Sequence, residues 1–169
     1  MNKQQKMVRD YHWKMGFTYN PMLTIISTTQ SDDRQRILQE EVDEIEAAFK
    51  AGDIIGLADA LADTLYVVYG TCVACGIDIE PIFAEVHRSN MTKTAPASRT
   101  GKAIKGPDYL PPVLEPILTE QLNVPVCFGK HPPTSEKCSC TAENKQDCLE
   151  ASGAIGPWGA LTATGRRKY

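Results

Sequence analysis

The sequence predicts an all-α fold of four to five helices, and three observations carry that expectation. Apolar residues recur at spacings of three and four along residues 38–49, as on one face of a helix. Helix punctuation recurs at the segment boundaries, with Asp53 and Asp78 ahead of apolar runs and Gly52 and Gly76 behind them. Residues 54–75 are apolar nearly all round, the mark of a helix with cover on every side.

Each element follows in order. Residues 2–15 predict a first helix, with Val8, Tyr11 and Trp13 as its apolar surface. Residues 17–30 read as a connector, with Asn20-Pro21 as a turn and Ser27-Thr28-Thr29 as polar loop. Ser31-Asp32-Asp33 reads as an N-cap cluster that sets acids at the positive end of a second helix. That helix extends to about Lys50, with Leu38, Val42, Ile45 and Phe49 as its apolar stripe. Ala51-Gly52 ends it, and Asp53 caps a third helix over 54–75, closed by Gly76. Asp78 caps a fourth helix, with Pro81 in its first turn, running to about Met91 on an inner face of Ile82, Phe83 and Val86. Residues 94–112 are rich in Gly, Pro and Lys and read as an ordered loop or arm. The periodicity fades after Leu118, so the expected division is a helical domain over 1–118 and an irregular Pro-, Gly- and Cys-containing tail over 119–169.

The composition, 42% hydrophobic and 23% charged with a net charge of -3, is that of a globular domain and disfavours a nucleic-acid backbone as the main partner. No apolar run is read as reaching the roughly 18–20 residues of a membrane span, and the polar N-terminus lacks a signal-peptide core. The expectation is a cytoplasmic protein without membrane or nucleic-acid partners, in a compartment where disulfides are rare. Cys72 and Cys75 are then small buried thiols. Cys127, His131, Cys138, Cys140 and Cys148 in the tail follow no zinc-binding spacing.

The chemistry is concentrated in residues 38–66, where eight carboxylates face a single base, Lys50. Asp43, Glu46 and Asp53 read as solvated surface or caps. Glu41 and Glu44 share a helix face that Glu40 adjoins, and this patch borders the apolar stripe. Asp59 and Asp63, four apart, are the only charges between Ile54 and Ile77. A lone buried carboxylate costs several kcal/mol, roughly, even after the protein relaxes. A helical hairpin turning at Ala51-Gly52 would bring the two patches together as an all-oxygen site for a hard cation such as Mg²⁺ or Mn²⁺. No histidine joins the set, which argues against zinc and against a di-iron bundle.

Glu40-Glu41-x-x-Glu44 followed by Asp59-x-x-x-Asp63 on a second helix resembles the MazG-type all-α nucleoside triphosphate pyrophosphohydrolases. His87-Arg88-Ser89-Asn90-Met91-Thr92-Lys93 is similar to the end of that family's fourth helix, and Lys105-Gly106-Pro107-Asp108-Tyr109 to the following loop in its phage and bacterial branch. The resemblance spans about residues 6–118. It departs at Ala60, where most members carry glutamate and where Asp59, one residue earlier, supplies the acid.

The resemblance implies a bundle completed across a homodimer or homotetramer, and hydrolysis of a nucleoside triphosphate to monophosphate and pyrophosphate with about two or three Mg²⁺ or Mn²⁺ ions. It implies that Glu41, Glu44, Asp59 and Asp63 hold metal, and that Glu40, with Glu41, serves the attacking water. Asn90 and Lys93 would grip phosphates, with Arg88 or Lys105 closing over them. His12 and Trp13 are candidates for the base, and the branch makes dGTP or GTP the leading substrates. Among enzymes, an all-α dUTP-hydrolysing relative or a phosphoribosyl-ATP pyrophosphohydrolase shares much of the motif. The latter ranks lower because no partner domain is evident. From another class, an inactive helical scaffold is favoured only by Ala60.

Overall fold

The computed structural model describes residues 1–96 and 101–123, in five helices: α1 (Lys3–Met15), α2 (Thr28–Ala51), α3 (Ile54–Cys75), α4 (Ile79–Met91) and α5 (Glu115–Asn123). The fold is all-α, as predicted. Strand-like pairing among the described residues is a single antiparallel bridge between Thr94 and Ile104.

Local chemistry sets most boundaries. Asp53 accepts from the amides of Ile55 and Gly56 at 3.0 Å each, and Asp78 accepts from that of Glu80 at 3.1 Å. Gly52 takes the left-handed conformation (φ 65°) that turns α2 back into α3. α2 starts at Thr28, three residues before the Asp-rich cluster at 31–33. Its N-cap is Ser27, in a reciprocal capping box with Gln30, so Asp32 and Asp33 stand beyond the first turn. The segment read as polar loop therefore holds the cap and the helix start.

α3 is the central element, packed mainly against α2 and also against α1. Its C-terminal part is closed. Gly70, Cys72, Val73 and Ala74 are buried with Val8 and His12 of α1. The last carbonyls of α3, which have no partner within the helix, are taken up by the connector: Asn20 donates its amide to Val73, and Thr24 donates its amide to Cys75. Gln5, fully buried, donates to the Ile77 carbonyl and accepts the Ile79 amide, sealing the turn from α3 to α4.

The N-terminal part of α3 differs. Ile54, Ile55, Leu61 and Leu65 are exposed, as are Phe49 of α2 and Phe83 of α4. Within one chain the described helices leave this part of α3 uncovered, and Phe83, expected on the inner face of α4, is exposed. By length and composition alone α3 is apolar enough to cross a bilayer, which corrects the reading that no run reaches that length.

Beyond α4, residues 109–113 run back along that helix. The Leu110 carbonyl accepts from Ser89 Oγ at 2.8 Å, and the Val113 amide donates to Glu85 at 2.8 Å. Gln121 of α5 accepts the Asp78 amide and donates to the Asp78 carbonyl, at 3.0 and 2.9 Å. Helix thus continues to Asn123, past residue 118 where the sequence pattern fades. The tail cysteines and His131 lie outside the described residues.

Candidate active site

The turn at Gly52-Asp53 makes α2 and α3 neighbours and sets their acids within electrostatic reach of one another. Glu41 reports this most directly. Desolvation first, then the charges of Glu44, Asp63, Glu40 and Asp59, push its carboxyl above the ordinary 4.5. The five acids singled out in the sequence are therefore one electrostatic group.

Their partners divide them. Glu40 is exposed and paired with Arg36 at 2.8 Å, one turn earlier on α2. Such a surface pair contributes little and opens readily. Asp43 accepts from Gln39, Glu46 pairs with Lys50, and Asp53 is a cap, so these three are surface and capping groups as predicted. Among the described residues, Glu41, Glu44, Asp59 and Asp63 make no ion pair or hydrogen bond. Their side chains also do not converge: no three His, Cys, Asp or Glu groups among the described residues are close enough to hold an ion as placed. Mutual repulsion between uncompensated carboxylates accounts for their separation. Ala60 is buried while Asp59 beside it is exposed, so the acid occupies the accessible position of the two.

The donor set fits a hard divalent cation. It is all-oxygen, half-buried or exposed, drawn from two helices, and short of positive charge.

The other predicted residues have separate fates. Asn90, exposed, and Lys93, half-buried, adjoin at the end of α4, where the Lys93 amide donates to the Asn90 carbonyl at 3.1 Å. Lys105 sits 5.1 Å from the centre of the Tyr109 ring, a cation–π contact. Arg88 is committed elsewhere. It makes a two-pronged pair with Glu85, at 2.8 Å on each arm, and donates to the Pro111 carbonyl. A role on phosphate would require Arg88 to leave this pair. The Arg88 hydrogen bond and then the Val113 amide hold the Glu85 carboxyl down at about 2.

The reading of His12 is corrected. It is 2% exposed, and both ring nitrogens are engaged. Nδ1 donates to the Thr18 carbonyl at 2.7 Å, which leaves Nε2 to accept from Arg34 at 3.4 Å. Burial, above all, holds its pKa below 6.5, so the ring is neutral at neutral pH. Gly70 makes the room: a Cβ there would stand 3.0 Å from Nε2 and 2.8 Å from an Arg34 nitrogen. His12 therefore locks α1 to α2 and α3 and is out of reach of a base. Trp13 is partly exposed and lies against Tyr19, ring centres 5.5 Å apart.

Sequence reasoning passed over a cluster of exposed rings beside the acids. Tyr66 follows Asp63 by three residues on α3, and its ring meets that of Tyr11, which in turn meets Phe17. The signal was available as an aromatic one turn from an acid in an apolar run.

Cys72 is buried, which pushes its thiol up to about 11, and both Cys72 and Cys75 are free, as small helix-packing thiols should be.

Residues 8–90 match the family described as phosphoribosyl-ATP pyrophosphohydrolase, which shares the all-α pyrophosphohydrolase fold of MazG-type proteins. The match falls on the family that the sequence reading ranked lower, and it contains all five acids. No curated protein matches the chain.

Proposed function

We propose, from the match of residues 8–90 to the phosphoribosyl-ATP pyrophosphohydrolase family, that the chain is a divalent-cation-dependent enzyme acting on a phosphoric anhydride. It would cleave a nucleoside triphosphate to the monophosphate and pyrophosphate. The observation that carries this reading is the set of four carboxylates on two adjacent helices with no cationic partner among the described residues.

Glu41, Glu44, Asp59 and Asp63 would hold the cations. Bound Mg²⁺ or Mn²⁺ supplies positive charge for the phosphate oxygens and lowers the pKa of water. The remaining work falls to the chain. Glu40, released from its exposed pair with Arg36, would orient the attacking water and accept its proton at a carboxylate oxygen. Asn90 would donate to phosphate oxygens through its amide, and Lys93 would neutralise the departing pyrophosphate, both from the end of α4. Lys105, already beside Tyr109, is the candidate to close over it.

Two substrate readings remain. The resemblance to the phage and bacterial branch favours a purine nucleotide, with dGTP and GTP first. The family match favours phosphoribosyl-ATP. Either substrate keeps the same bond chemistry.

A second copy of the chain would complete the fold as a homodimer or homotetramer. Covering a side chain such as Phe49, Ile55 or Phe83 contributes roughly 1.5–3 kcal/mol each, and all three are exposed here.

The test is product analysis. The chain is incubated with Mg²⁺ and a panel of dGTP, GTP, the other nucleoside triphosphates and phosphoribosyl-ATP. Pyrophosphate and monophosphate in equal amounts are expected from at least one of them, and neither product in the presence of a chelator. Failure on every substrate, or release of orthophosphate instead, would exclude this reading.

A further inference from the structure

The rings of Tyr11, Phe17 and Tyr66 meet at one corner of the molecule. The Tyr11 centroid lies 5.7 Å from that of Phe17 and 5.6 Å from that of Tyr66, edge-on in both cases. The three come from α1, from the connector after it and from α3. Rings in a packed core lose nearly all their exposure, yet these keep 39%, 45% and 39%. An edge-to-face pair covers one face of one ring, so a cluster of three rings with this much exposure retains ring surface for another flat group.

The cluster adjoins the acids. Tyr66 is three residues after Asp63 and seven after Asp59, which puts it on their side of α3. Three residues of helix advance about 4.5 Å. That step suits a molecule whose phosphates and flat base are joined through one sugar. The corner is also held in place: the buried His12 ring stands edge-on to Phe17 at 5.8 Å and is anchored on the Thr18 carbonyl. Trp13 is two positions from Tyr11 on α1, about 200° round the helix, and belongs to a separate pair with Tyr19.

Resting on the hydrolase reading above, we propose that Tyr11, Phe17 and Tyr66 are the specificity-determining surface on which the substrate's base stacks. His12 serves them as a positioning residue. Stacking accepts any base face, so this surface would set affinity for base-bearing substrates over bare polyphosphate, with finer selection left to edge contacts. Base–aromatic stacking is worth about 1–3 kcal/mol per ring, which converts to roughly five- to 150-fold in affinity.

The experiment measures equilibrium binding to the full chain with Mg²⁺ for two kinds of probe. One is the α,β-methylene analogue of ATP or GTP, which resists cleavage at the scissile bond. The other is inorganic tripolyphosphate, which lacks a base. Tyr66→Leu and Phe17→Leu, measured separately, are each expected to weaken the nucleotide analogues about tenfold and to leave tripolyphosphate within about twofold. Sedimentation accompanies each variant. Equal weakening of both probes, no weakening of either, or loss of nucleotide binding only together with dissociation of an oligomer would overturn the proposal. Wild-type protein that binds tripolyphosphate as tightly as the analogues would overturn it while sparing the hydrolase reading. Wild-type protein that binds neither probe would overturn this inference, while the hydrolase reading stands or falls by the product analysis above.

Discussion

Within α3, residues 70–74 lie closed against α1, while residues 54–66 leave Ile54, Ile55, Leu61, Leu65 and Tyr66 exposed beside two unpartnered aspartates. Both halves are apolar by composition. They differ in how their polar groups are satisfied. In the closed half the buried His12 and Gln5 have internal answers: His12 bonds Thr18 and Arg34, Gln5 bonds Ile77 and Ile79, and the connector takes up the last carbonyls. In the open half, Glu41, Glu44, Asp59 and Asp63 find no partner among the described residues. A fold that satisfies buried polar atoms with care at one end of a helix and leaves four acids uncompensated at the other has divided its labour. One end supports the structure, and the proposed function assigns the other to groups that arrive from outside.

The sharpest way to break the comparison is to remove charge from the open half. Asp63→Asn is expected to lower pyrophosphate release by about a hundredfold or more while circular dichroism stays unchanged, because the side chain is exposed and bonds nothing in the fold. A parallel loss of helix content would mean that the acid is structural. The closed half should respond in the opposite way. At Gly76, φ is 69° and a Cβ would stand 2.1 Å from the Met22 carbonyl oxygen. Gly76→Ala is therefore expected to cost more than about 2 kcal/mol in urea unfolding. A neutral result would show that the connector is loosely held.

How far the sequence was readable follows the same division between local and distant causes. Asp53, Gly52, Gly76 and Asp78 were legible because a cap acts on its own neighbours. Ser27 was equally local, but its serine–glutamine pairing was passed over in favour of the acids at 32 and 33. Ser27→Ala is expected to cost about 1 kcal/mol by the same denaturation measurement, a value near zero arguing against the capping box. The acid grouping was legible because helical spacing and a short turn leave little freedom. His12 was not, since its burial depends on the missing side chain of Gly70, 58 residues away in the chain. Nor was the end of α5, which rests on Gln121 reaching Asp78. The pairing of Arg88 with Glu85, three residues earlier, was local and was passed over.

The smallest expected effect concerns pH. Burial and the neighbouring acids raise the Glu41 pKa above 4.5 in the fold. The folded state then holds a proton that the unfolded chain has released, so metal-free stability falls as pH rises through the window just above 4.5. Glu41→Gln should remove that loss, giving a melting-temperature advantage that grows from pH 4.5 toward neutrality and vanishes in acid. Glu85 acts with the opposite sign: its contribution is complete above 4.5 and fades as pH falls toward 2. A Glu41→Gln advantage independent of pH would show that the acids do not sense one another.

The central claim is that the open acids exist to hold divalent cations, and thermal unfolding with and without metal addresses it without reference to any substrate. Mg²⁺ or Mn²⁺ should raise the melting temperature of the wild-type chain progressively with concentration. Asp63→Asn should lose that response while melting at or above the wild-type temperature in metal-free buffer. An unchanged wild-type melting temperature across the titration, or an equal rise in the variant, would contradict it.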